Sequence, residues 1–151
     1  MRSNTVHDMV HPAIQRKISL LQEYYLQFEP YVALDAALIV SNQEKQAAME
    51  RIFILMVDTA AEVAGSLSYQ LGNKVAETNR SAFLELVPLG VFDESFAARI
   101  GESVKVRNDL AHRYEGMQKA AAVEAMKRFS DLYREYTTVL IKKFIPSQKM
   151  A

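Results

Sequence analysis

The stretch PAIQRKISLLQEYYLQFEP, residues 12–30, places Ile14, Ile18, Leu21, Tyr25 and Phe28 at spacings of 4, 3, 4 and 3. That periodicity puts five large apolar side chains in one stripe along an α-helix, a stripe that must be buried lengthwise against another helix. Proline cannot donate to the preceding turn, so Pro30 is expected to stop or kink the helix. The same pattern recurs near the C-terminus, where Ala122, Met126, Phe129, Tyr133, Tyr136 and Leu140 are spaced 4, 3, 4, 3, 4 up to Pro146.

Between these stripes the signals remain helical. Residues 31–40 are helix-compatible but weakly patterned. Ser41-Asn42-Gln43-Glu44 reads as a capping box, with the serine accepting from the first-turn amides. A long Ala- and Met-rich helix is expected from there to about Leu71, with Gly72-Asn73 as its left-handed end. A polar loop runs to Asn79, and a short helix follows with Phe83 and Leu86 inward, closed by Pro88 and Gly90. Asp93 caps a further helix whose inward stripe begins Phe96, Ile100, Val104, and Glu115-Gly116 breaks it. No strand-like alternation and no repeat is visible. The expected fold is an all-α bundle of four or five helices.

Composition agrees. The 151 residues suffice for one domain, half of them are apolar, and only 5 Gly and 4 Pro are present, too few for a turn-rich β fold. The expectation is a single domain over residues 1–151, with residues 1–12 a frayed N-terminus and 146–151 a C-terminal tail. The absence of Cys excludes disulfides, thiolate metal sites and cysteine nucleophiles. The N-terminus lacks the apolar core of a signal peptide, and no apolar run approaches a membrane span of about 20 residues. A cytoplasmic protein with no membrane association is expected. Charges balance overall, but residues 1–100 carry a net −4 and residues 101–151 a net +4. A phosphate-binding site, if present, therefore belongs in the last third.

One segment does not suit a plain bundle. Arg107 lies eleven residues after Phe96, three turns plus about 20°, and so falls on an apolar stripe. A guanidinium there is costly unless it is paired, for instance with Asp58 or Glu62, or borders a polar cleft. Around it the chain reads Arg107-Asn108-x3-His112-x-Tyr114. R-x4-H alone is expected by chance about 0.2 times in a chain of this composition; adding the Asn and the Tyr lowers the expectation to about 0.0003. The full string is specific.

This string resembles the motif of the HEPN superfamily of small helical nucleases, and within it the HepT-type toxins paired with MntA-type nucleotidyltransferase antitoxins. The likeness extends over roughly Glu44 to Phe144. It includes Glu50-Arg51 opening the long helix, its acidic positions Asp58 and Glu62, and Phe83-Leu84-Glu85-Leu86 leading into Leu89-Gly90-Val91-Phe92-Asp93. Val106 and Ala111 stand where bulkier Phe and Val are common in the family.

The residues suit metal-independent RNA cleavage. Such cleavage needs a base for the 2′-hydroxyl, an acid for the departing 5′-oxygen and a cation on the phosphorane. Histidine, with an unperturbed pKa of about 6.5, suits either proton role, and arginine presents a permanent charged fork to phosphate. The expected catalytic residues are Arg107 and His112, with Asn108 on the histidine's face to orient the imidazole. Five residues on a helix are 140° of rotation, so Arg107 and His112 do not share a face. A helix ending near Ala111, or a homodimer joining two motifs in one cleft, would relieve this. The resemblance implies that dimer. It also implies that Tyr114 receives AMP groups from the partner nucleotidyltransferase. Arg113 and Lys119 are the expected RNA-binding cations, and Lys127 and Arg128 could steer RNA as well, although exposed helices carry such charges routinely. No cofactor and no metal are expected. His7-x3-His11, with Asp8 nearby, has helical metal spacing, but Pro12 and the terminal position favour a frayed segment, and no Glu-x-x-His pair for a di-iron bundle occurs. The alternative function is a catalytically silent helical partner of a nucleotidyltransferase.

Overall fold

In the computed structural model, which describes residues 10–112 and 118–147, seven helical segments follow one another: α1 (Pro12–Val32), α2 (Ala36–Val40), α3 (Gln43–Gly72), α4 (Asn79–Leu84), α5 (Glu94–Ala111), α6 (Lys119–Lys127) and α7 (Ser130–Phe144). No strand occurs among the described residues. The count exceeds four or five because residues 36–40 form a helical turn of their own and the last helix is divided.

α3 is the axis of the bundle. α1 packs along it on one side and α4 and α5 on another, while α7 lies against α1 and α5. The stripes are buried as the periodicity requires: Ile18, Leu21 and Phe28 of α1, and Tyr133, Tyr136 and Leu140 of α7, have no exposed surface. Phe53 at the middle joins the two ends of the chain. Its ring centroid lies 5.7 Å from Phe28 and 6.1 Å from Phe129. Phe53→Ala should therefore cost about 3–5 kcal/mol, read as a lower urea midpoint at unchanged slope, because three helices border the void it leaves.

Local chemistry departs from expectation in several places. Residues 10–12 are not frayed: Val10 is buried, and the His11 imidazole Nδ1 accepts the Ala13 N–H at 3.0 Å, capping α1. Pro30 does not end α1. Phe28 on one side of it is fully buried and Tyr31 and Val32 on the other pack on the core, which offsets one lost backbone bond. The carbonyl facing the proline ring belongs to Leu26, an exposed residue on the solvent side where a helix can bend outward.

Asn42, not Ser41, caps α3. Ser41 has helical dihedrals and its hydroxyl donates to the Leu38 carbonyl, whereas Asn42 is extended and its Oδ1 accepts the Lys45 N–H at 3.1 Å. The left-handed end of α3 is Asn73, at φ 49°, and Asp93 caps α5 by accepting the Phe96 N–H at 2.8 Å. The C-terminal stripe spans two helices, because a tight turn at Arg128-Phe129 closes with Phe129 N–H on the Met126 carbonyl at 3.1 Å. Periodicity reports which side chains face inward, and all six stripe residues do; it does not report that single change of backbone bonding.

α3, with 30 residues, has the length and mean composition of a membrane span, although no unbroken apolar run of that length occurs in it. Asp58 and Glu62 interrupt the apolar run. More than half of its most apolar window is buried by the other helices.

Candidate active site

α5 runs from the Asp93 cap to Ala111, with Phe96, Ile100 and Val104 facing the core. One turn before Arg107, the fully buried Ser103 hydroxyl lies 2.6 Å from the Ile100 carbonyl and 2.8 Å from the Tyr133 hydroxyl. This pair fastens α5 to α7 beneath the site. Burial pushes the Tyr133 hydroxyl well above the ordinary tyrosine range, with the negative charge of Asp58 adding to the rise and the Ser103 hydrogen bond opposing it. A small polar residue between Ile100 and Val104 on an apolar stripe was the signal for this contact in the sequence.

Arg107 meets Asp58 across the α3–α5 interface. Its Nε donates to Oδ1 at 2.7 Å and its Nη2 to Oδ2 at 3.0 Å, a side-on bidentate pair. Of the two acidic partners left open by the sequence, Asp58 is the one used. Glu62, one turn further along α3, pairs instead with Lys17 of α1. The Asp58 hydrogen bonds, with a smaller contribution from its charge, hold the Arg107 proton more tightly than in an ordinary arginine, against a partial desolvation.

The pair is not a core element. The side chains remain 28% and 36% exposed, and an ion pair in that setting adds at most about 1 kcal/mol to stability. Asp58 uses one N–H on Nε and one on Nη2. Three of the five guanidinium N–H groups remain, and two of those, one on each terminal nitrogen, form an end-on fork of the kind that grips phosphate.

Asn108 extends this arrangement. Its Oδ1 lies 3.5 Å from Arg107 Nη1, at the limit of a hydrogen bond, and its carbonyl accepts the His112 N–H at 3.1 Å. Among the described residues its side chain makes no bond to the imidazole. It borders a groove of about 570 Å³ between α4 and α5, with Thr78, Asn79, Arg80 and Lys105 on the other walls. A second groove, of about 760 Å³, begins one turn beyond Asp58 and contains Tyr69, His11 and the closed Lys17–Glu62 pair, without an Arg–His set.

His112 is the C-terminal cap of α5, at φ −90° and ψ 18°, and is exposed. The helix does end at Ala111, and the side-chain partners of Arg107 among the described residues are Asp58 and Asn108, not His112. Lys119 opens α6 and is exposed, and its carbonyl accepts from Gln46 Nε2 at 3.3 Å. Its charge lies beside Glu50, whose carboxyl is pushed up by burial against the opposing effects of a Gln46 hydrogen bond and Lys119 itself. Arg113 and Tyr114 lie outside the described residues, as does His7. Among the described residues no group of three or more His, Asp or Glu side chains is placed to hold a metal ion.

A Ribonuclease HepT-like family model matches residues 15–139. The chain belongs to the HepT-like ribonuclease family. Its fold is that of the HEPN toxins. The tri-AMPylated HEPN toxin of Shewanella oneidensis, solved in complex with an MNT antitoxin, superposes with a TM-score of 0.75 at 14% identity, over 88% of this chain and 99% of that one. A toxin–antitoxin structure with AMP-PNP gives a TM-score of 0.73 at 13% identity, over 87% of this chain and 99% of that one. A mutant MntA–HpeT toxin–antitoxin complex gives 0.74 at 14% identity, again over 87% and 99%. No curated protein sequence matches at a significant level. At these identities the structural likeness concerns the fold, and the HepT-like chain's chemistry rests on its own residues.

Proposed function

We propose that this HepT-like chain is an endoribonuclease toxin that cleaves RNA without a metal ion and is neutralised when a nucleotidyltransferase antitoxin attaches AMP to it. The observation that carries the reading is Arg107: a partly exposed guanidinium held side-on by a carboxylate, its outer end engaged only by the long 3.5 Å contact to Asn108, five residues before an exposed histidine at a helix end.

In the proposed step a base takes the proton of the RNA 2′-hydroxyl and the 2′-oxygen bonds to phosphorus. The bond from phosphorus to the 5′-oxygen breaks as an acid protonates that oxygen, leaving a 2′,3′-cyclic phosphate and a 5′-hydroxyl. His112 serves in one or both proton roles. Arg107 stabilises the charge that accumulates on the phosphorane, Asn108 steadies the pair, and Arg113 and Lys119 draw the RNA backbone to the cleft.

A homodimer formed along α5 supplies what one chain lacks. It brings two Arg107–His112 sets to one cleft, so that one histidine acts as base and the other as acid. Light scattering at micromolar concentration should report about twice the 17.1 kDa chain mass; a monomer at that concentration would rule the shared cleft out.

The rival reading, a silent helical partner of the nucleotidyltransferase, separates from the toxin in cells. Expression without a partner nucleotidyltransferase should arrest growth, and co-expression should restore it. Normal growth under both conditions favours the silent partner.

A further inference from the structure

Both oxygens of Asp58 are spent on Arg107, at 2.7 and 3.0 Å, and both come from the middle of α3, between the buried Val57 and Thr59. The opposing residue is just as firmly seated, since the Ser103–Tyr133 bond pins α5 to α7 one turn away. Two rigid helices thus meet at a flexible side chain and fix its terminal group. The neighbouring acid, Glu62, is engaged by Lys17 and does not compete.

We propose that Asp58 is a positioning residue for RNA cleavage: by holding the side fork of Arg107 it aims the end-on fork at the reacting phosphate. It also offsets the guanidinium charge when no RNA is bound. The inference rests on the ribonuclease reading and adds a residue that contacts the arginine, not the substrate. Orientation has a distinct signature. Without Asp58 the arginine keeps its charge and loses its aim, so RNA still binds while the chemical step slows.

The test compares wild type with Asp58→Ala, Asp58→Asn and Asp58→Glu, with His112→Ala as the inactive control. Three quantities are read: kcat and KM on a fluorogenic RNA oligonucleotide, the Kd of its uncleavable 2′-deoxy counterpart, and the thermal midpoint. For Asp58→Ala kcat is expected to fall about 10- to 100-fold. The Kd should stay equal or become a few-fold tighter, with the midpoint close to wild type. Asp58→Glu keeps the carboxylate and should recover part of kcat; Asp58→Asn should lie between.

Wild-type kcat in Asp58→Ala and Asp58→Asn, with His112→Ala inactive, overturns the positioning role alone. Parallel losses of kcat, binding and thermal midpoint in every Asp58 variant overturn it too, because they describe a structural ion pair. Should Asp58→Ala fail to fold, Asp58→Asn decides by the same criteria. An inactive wild type overturns the ribonuclease reading itself, and this inference with it.

Discussion

His112→Ala is expected to lower RNA cleavage by about 10²-fold or more while leaving the helical content unchanged, since the residue is an exposed helix cap whose capping bonds come from its backbone N–H. Arg107→Ala should lose at least as much activity, because it removes the cation from the phosphorane in a partly water-shielded site. It also strands the Asp58 carboxylate beside the path of the phosphate, so repulsion adds to the loss. Arg107→Lys should not rescue it, since an ammonium cannot fill the two-oxygen grip of Asp58 and keep an end-on fork. The two alanine variants should not be additive if both residues serve the same step. Assays of the single and double variants on one RNA substrate check this: retained activity in His112→Ala removes histidine from the mechanism.

The second large effect concerns Tyr114, proposed as the AMP acceptor. It lies two residues past His112, beyond the end of α5 and before the Glu115-Gly116 pair. Each AMP joined through a phosphodiester adds about one negative charge close to the catalytic pair, and its phosphate competes with RNA for the Arg107 fork. Modified protein should therefore lose cleavage yet keep its circular dichroism spectrum. Tyr114→Phe keeps the ring but not the hydroxyl, so it should remain an active nuclease that co-expression with the nucleotidyltransferase fails to silence. Peptide mass spectrometry after co-expression checks the site. AMP increments absent from Tyr114, or present there with cleavage intact, contradict the proposal.

Much of the fold was legible because burial leaves a period. The α1 stripe, the Phe83 and Leu86 positions, the Asp93 cap and the C-terminal stripe all follow from spacing and short-range hydrogen bonding. Three features were not legible for a shared reason: they are settled by competition between neighbours. Pro30 is carried inside α1 by the packing of Phe28, Tyr31 and Val32. Ser41 yields the α3 cap to Asn42 because it is already bonded to Leu38 at the end of α2. The C-terminal helix divides at Arg128-Phe129, although its stripe runs on.

In the site, the anomaly of an arginine on an apolar stripe was legible, and so were its two possible acidic partners. Choosing between Asp58 and Glu62 needs the register of α3 against α5 and the position of Lys17, both long-range facts. The gap between Arg107 and His112 was also legible as 140° of helix rotation, and the helix end at Ala111 narrows the problem without closing it in one chain. That offset of about 140° is the physical ground for proposing a dimer.

The central claim is tested most directly by incubating purified wild type and His112→Ala with total RNA in excess EDTA and reading the fragment ends. Metal-independent cleavage through Arg107 and His112 predicts fragments carrying 2′,3′-cyclic phosphate and 5′-hydroxyl ends with wild type, and intact RNA with His112→Ala. Equal cleavage by both proteins, or wild-type cleavage that EDTA abolishes, would contradict it.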